Sequence, residues 1–220
     1  MTGHALPALS LLETRVLGVL VEKQRTVPDT YPLTLNALVA GCNQKTSRDP
    51  VIDAAEAEVQ SAVDHLKSLS LVVESSGGRV MRYAHNVERV LHLPTQSVAL
   101  LAVLFNRGPQ TAGELRIASE RLHKFTDISA VEAFLDELSE RPAGALVREL
   151  ARAPGARETR WAHLLSGEPA APAPQAQDAP VGESLTVSEI AALKANVDHL
   201  QGEVTALKET VARIAKELGL

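Results

Sequence analysis

Cysteine, aromatic side chains and long apolar runs are scarce in this chain, and each scarcity removes a class of explanation. Cys42 is the only cysteine, so no internal disulfide and no cysteine-built zinc site can form. That usage suits a reducing cytoplasm, where we expect the protein to reside. Cys42 closes the apolar run NALVAGC and reads as a core residue rather than a reactive thiol. Aromatic residues make up 3% of the chain, so any core must be built from Leu, Val and Ala. No stretch reaches the roughly 18 uncharged apolar residues of a membrane helix. The first apolar run is interrupted by Glu13 and Arg15, so no signal peptide is expected either.

Catalytic signatures are missing too. The seven histidines are scattered, none in a metal-ligand spacing, and HExxH, GxSxG, Walker-type and GxGxxG motifs are all absent. We expect a protein that is not an enzyme, with no cofactor and no metal. The net charge of −5 is unevenly spread. Residues 1–165 hold 18 Lys and Arg against 19 Asp and Glu, whereas residues 166–220 hold 4 against 8. The acidity belongs mainly to the tail.

What the chain does contain is a pattern written twice. RYAH (Arg82–His85) returns as RWAH (Arg160–His163). Upstream of the first copy, Ser10-Leu-Leu-Glu13 is a helix-starting capping box, and Leu9, Leu12, Val16 and Leu20 lie on one helical face. A second helix covers Leu35 to Cys42. A third follows Asp53-Ala-Ala-Glu56 and buries Val59, Val63 and Leu66. LVVES, a Gly77-Gly78 turn and RVMRYAH then read as a β-hairpin. The second copy keeps the order: LPTQSVALLAVLF, a helix capped by Thr111-Ala-Gly-Glu114, a helix capped by Ser129-Ala-Val-Glu132, then ALVREL and RETRWAHLL as a hairpin about Pro154-Gly155.

Three helices and a two-stranded hairpin, repeated, predict two tandem winged-helix domains, 1–90 and 91–165. The fold class is mainly α with small β-hairpins (α+β). On a strand alternate residues face opposite ways, so Tyr83 and Trp161 should face the helices while Arg82 and Arg160 face outward. His85 and His163 share the aromatic's face and read as packed or capping groups.

Residues 166–184 are rich in Pro, Ala and Gln and predict a disordered linker. Beyond it, Ile190, Leu193, Val197, Leu200, Val204, Leu207, Val211 and Ile214 alternate spacings of three and four. This heptad seam predicts a coiled-coil helix over 185–220 and a homodimer. Docking of the same helix back onto its own chain is the other reading.

LETRVLGVLVEKQ, YPLTLNALVAGCNQKTSRDP, GELR and RWAHLLSGE together resemble the YceH-like family of uncharacterised bacterial proteins over residues 9–168, with Cys42 to Pro50 the most specific stretch. The resemblance implies a tandem winged-helix fold and supplies no catalytic residue.

Candidate nucleic-acid contacts are Lys45 and Arg48 before the third helix, Arg79 and Arg82 on the first wing, and Arg152, Arg157 and Arg160 on the second. Arg116, Arg121 and Lys124 punctuate the second copy's helix two. Each arginine has an alternative role as a solvated charge or an internal partner. QKTSRDP reads either as a rigid structural loop or as a recognition loop. Both third helices oppose groove insertion: residues 49–66 and 126–140 carry five acidic groups each and no Lys or Arg, where DNA phosphates would demand cations. The first expectation is wing-led nucleic-acid binding in a regulatory role. The second is a protein-interaction scaffold using the acidic helix-three faces and the coil.

Overall fold

The computed structural model describes residues 6–76, 80–152 and 155–168. All of them fall within the first of the two units into which the chain divides, Met1–Pro169. The Gly77-Gly78 turn, Arg79, most of the expected linker and the whole heptad segment lie outside the described residues.

The described part is mixed α and β, with helices carrying the mass and small antiparallel sheets at the edges. Helix α1 (Leu11–Thr26) starts as its sequence dictates: the Ser10 hydroxyl accepts from Glu13 N, and the Glu13 carboxylate accepts from Ser10 N at 2.6 Å. Helix α2 (Leu35–Cys42) is capped by Thr34. Helix α3 (Glu56–Ser68) begins at Ala55 rather than at Asp53, with the Glu58 carboxylate reaching back to Ala55 N at 2.7 Å. The expected acidic box is therefore two residues out of place, and only its glutamate-to-backbone half forms.

Strands β2 (Val72–Ser75) and β3 (Arg82–His85) make the first hairpin, and the short β1 (Leu33–Thr34) joins its other edge to give the order β1-β3-β2. A short helix, α4 (Val87–Leu91), leads out of the hairpin and ends at His92 in the left-handed region. The second copy runs through α5 (Thr95–Arg107), α6 (Ala112–Ala118) and α7 (Ile128–Ser139) to β4 (Val147–Glu149) and β5 (Trp161–His163). Its helix α7 is capped by Asp127, whose carboxylate accepts from Ala130 N, so Ser129 lies inside the helix and not at its cap. Arg121 and Lys124 follow α6 instead of lying on it.

The copies are related strand by strand. Leu33 pairs with Tyr83 at the edge of the first hairpin, and Gln110 bridges Trp161 at the edge of the second. Both stretches then run into a threonine N-cap, Thr34 and Thr111.

Helix α1 departs from its expected one-sided pattern. Every residue from Glu13 to Val21 is buried, because α3 covers one side and α5 the other. Helix α5 is likewise buried from Ser97 to Asn106. Gly18 allows the close approach of the pair: a Cβ there would sit 2.7 Å from Asn106 Oδ1 and 3.0 Å from Phe105 Cβ. A single apolar cluster consequently runs from Leu9 through Leu101 to Trp161 and Leu165. Leu9 N also donates to Leu165 O at 2.7 Å, tying the start of the unit to its end.

Candidate functional site

The two tetrapeptides occupy equivalent places. Tyr83 and Trp161 are buried against the helices, as strand alternation requires. Their neighbouring arginines do the same structural work: Arg82 Nη1 donates to Pro32 O at 2.8 Å, and Arg160 Nη1 donates to Pro109 O at 2.9 Å. Each acceptor lies two residues before the threonine that caps the second helix of its copy. Arg82 also reaches Thr30 O, and Arg160 reaches the Glu114 carboxylate at 3.1 Å. Both guanidiniums therefore clamp the hairpin to the entry of helix two. Arg82 is half-buried; Arg160 remains half exposed.

His85 and His163 close the strands. His85 Nε2 lies 2.8 Å from Gln24 Oε1, and His163 stacks edge-on against Phe105 with ring centroids 5.0 Å apart. Burial pushes both imidazoles down to about 4, with Arg25 adding repulsion at His85. Each Nδ1 is buried and has no hydrogen-bond partner among the described residues.

Arg48, expected among the phosphate contacts, is turned inward. Its side chain is buried, and Nη1 pairs with Glu22 Oε2 at 2.8 Å while Nε donates to Gly41 O. Burial alone would raise the Glu22 carboxyl, but Arg48 and Lys23 outweigh it and hold the group below the usual carboxylate value. Arg15, fully buried on α1, donates to Cys42 O and to Pro50 O at 2.8 Å. Asp49 N donates to Asn106 O at 2.8 Å. The segment Cys42–Pro50 is thus fastened internally through Arg15, Arg48 and Asp49, with Lys45 exposed. Neither buried arginine was readable as such, because Glu22 lies 26 residues from Arg48 and Pro50 lies 35 residues from Arg15 in the sequence. Cys42 is buried as expected, and burial raises its thiol to about 12.

Among the described residues, Lys45, Arg152 and Arg157 are exposed candidate contacts with no such bonds, whereas the exposed Arg160 is engaged with Pro109 and Glu114. Arg79 lies outside the described residues. Arg152 and Arg157 line a groove of about 460 Å³ between α7 and the second hairpin, floored in part by Trp161. Four carboxylates, Glu132, Asp136, Glu149 and Glu158, share that groove. On the first copy, Lys67 pairs with Asp64 at 3.5 Å and with Glu74, so its cation is internally neutralised.

Among the described residues, no cluster of three or more His, Cys, Asp or Glu side chains could hold a metal ion. Among those residues, too, no helix is long and apolar enough to cross a membrane.

These features define a helix-and-hairpin order that occurs twice, with signature arginines that fasten each hairpin or connection to its own helices. The chain belongs to the DUF480 family, proteins of unknown function, whose model matches residues 9–156. It is 59% identical over 215 residues to a UPF0502 protein of Dechloromonas aromatica (strain RCB), covering 98% of this chain and all of that one. A UPF0502 protein of Burkholderia lata is 58% identical over 219 residues, covering 100% of this chain and 93% of the relative. The family resemblance read from Cys42–Pro50 and its companion motifs is borne out.

Proposed function

We propose that the protein is a non-enzymatic tandem winged-helix module of the cytoplasm that binds a protein partner through the acidic face of its second copy. The fold assignment rests on the twice-written order of three helices and a hairpin, with an extra edge pairing before helix two in each copy. The observation that carries the functional reading is the distribution of charge. Where a DNA-reading winged helix would meet phosphates with its third helix and wing, α7 offers Glu132 and Asp136 and the hairpin adds Glu149 and Glu158. Of the arginines proposed to lead from the wings, Arg82 and Arg160 are engaged with backbone carbonyls.

A lysine- or arginine-rich segment is the partner this face fits. The test is binding of a synthetic arginine-rich peptide to the full chain across a salt series. Binding should weaken as salt rises and fall about tenfold or more in the double variant Glu132→Gln/Asp136→Asn. Unchanged affinity in that variant refutes the reading.

Nucleic-acid binding is the second reading, favoured by the exposure of Lys45, Arg152 and Arg157. Random duplex DNA in the same salt series separates the two. Saturable binding with a steep salt slope, lost in Arg152→Ala/Arg157→Ala, would replace the first reading with the second. Self-association is proposed through the heptad positions Ile190 to Ile214. Sedimentation of the full chain should show a dimer, and a monomer after Leu200→Asp/Leu207→Asp.

A further inference from the structure

At the junction of the two copies lies a second, smaller cleft of about 190 Å³. Its walls come from the end of α1, the connection after α2, the end of α5 and the residues following α6. Lys23 enters from α1, Arg107 from α5 and Arg121 from beyond α6, with Ser47 and Asn106 beside them. Arg107 Nη2 donates to Ser47 Oγ at 2.8 Å. Glu22 is the only carboxylate among the lining residues, and it is already saturated. Lys23 donates to its Oε1, while Arg48 and Asn106 both donate to its Oε2. Among the described residues no carboxylate lies within 4.0 Å of Arg107 or Arg121.

Three cations around one spent carboxylate leave a concave site with surplus positive charge. Arg107 and Arg121 converge here beside Lys23, which shares Glu22 with Arg48. Two guanidinium forks, an ammonium and a hydroxyl match the several oxygens of a phosphoryl group better than one carboxylate. The volume is roughly that of six waters, enough for a pyrophosphate-sized group and below the range usual for drug-sized ligands.

We infer that this cleft is a binding site for a small phosphate-bearing ligand, held by Lys23 from the first copy and by Arg107 and Arg121 from the second. The ligand would span the junction, so its binding would stiffen the contact between α1 and α5. The inference is independent of the acidic face and of what that face binds.

The probe is inorganic pyrophosphate, titrated calorimetrically into the full chain at low salt, with citrate and duplex DNA as comparison ligands. Saturable binding of one pyrophosphate per chain is expected, together with a rise in melting temperature that grows with ligand concentration. Affinity should fall tenfold or more in Arg121→Ala and in Arg107→Ala, partly recover in Arg107→Lys, and stay unchanged in Arg89→Ala, an exposed arginine on α4 outside the cleft. Arg121 is exposed, so its variant should fold normally. Absence of saturable binding overturns the inference, as does an equal loss in Arg89→Ala. Citrate binding as tightly as pyrophosphate would overturn the phosphate class. Displacement of pyrophosphate by duplex DNA, lost in the same variants, would make the cleft a backbone contact and overturn the small-ligand reading.

Discussion

In the first copy, the connection from Asn43 to Ala55 reaches out of its own copy. It closes on itself through Asn43, whose side chain both donates to Ala54 O and accepts from Ala54 N at 2.9 Å. It then sends Arg48 to Glu22, lends Ser47 to Arg107 and bonds Asp49 N to Asn106 O on α5. In the second copy, the shorter connection from Ser119 to Asp127 stays at home. Phe125 is buried and stacks edge-on with both His123 and Phe134. One connection became polar and bridges the copies; the other became aromatic and fills its own core. The hairpin clamps, by contrast, are the same device in both. The two sets of elements share the geometry that each needs alone, and differ where they meet.

The largest way to break that contrast is Arg48→Met. It leaves the Glu22 carboxylate half-buried with Lys23 as its one cation and Asn106 as its neutral donor, and should cost about 3 kcal/mol or more in urea unfolding. Removing the exposed Lys124 from the second connection should cost less than about 0.5 kcal/mol. Equal losses would show that the first connection fastens nothing.

Acid should act on both copies alike through His85 and His163. The folded pKa of each is near 4, below the ordinary 6.5, because burial opposes the charged ring. The unfolded chain therefore binds the proton first as pH falls. The stability that depends on neutral rings is complete above about pH 6.5, is lost progressively towards pH 4 and levels off below it, at roughly 3 kcal/mol per histidine. Urea midpoints measured from pH 7.5 to 4.5 should fall, and His163→Phe should flatten the decline. A slope unaltered by that substitution would clear His163 of the effect.

Gly18→Ala sharpens the comparison at the shared helices. The added methyl meets Asn106 and Phe105, and the strain should outweigh the better helix propensity by about 1–2 kcal/mol. Calorimetric melting checks it, and a variant as stable as the parent would mean that α1 and α5 are not held at that distance.

The smallest effect separates the clamps. Arg82→Ala should cost about 1 kcal/mol and Arg160→Ala less, because Arg160 is half exposed and part of its bonding is an exposed ion pair. If Arg160→Ala proves the costlier, the solvent argument is wrong.

Local signals were readable in advance. The Ser10 and Thr111 caps, the inward Tyr83 and Trp161, and both hairpins follow from spacing and alternation within a few residues. Three things were not. The cap of α3 moved to Ala55 because a backbone N–H can be satisfied by Glu58 alone. The full burial of α1 depends on α5, some 80 residues on, and no periodicity in α1 announces it. Arg48 looked like a surface cation because only the fold brings Glu22 and Gly41 to it. Charge that serves packing and charge that serves a ligand are spelled alike; burial distinguishes them.

The sheathing of α1 on both sides has a consequence for synthesis. The ribosome delivers α1 first, and its own copy can cover only one flank when residues up to about 90 have emerged. The other flank, around Gly18 and Glu22, must wait for α5 to be translated. Until then the nascent chain carries a helix with one flank uncovered, the kind of surface that chaperones hold. A gene cut between the two halves would leave that flank permanently bare, so neither half makes an independent product.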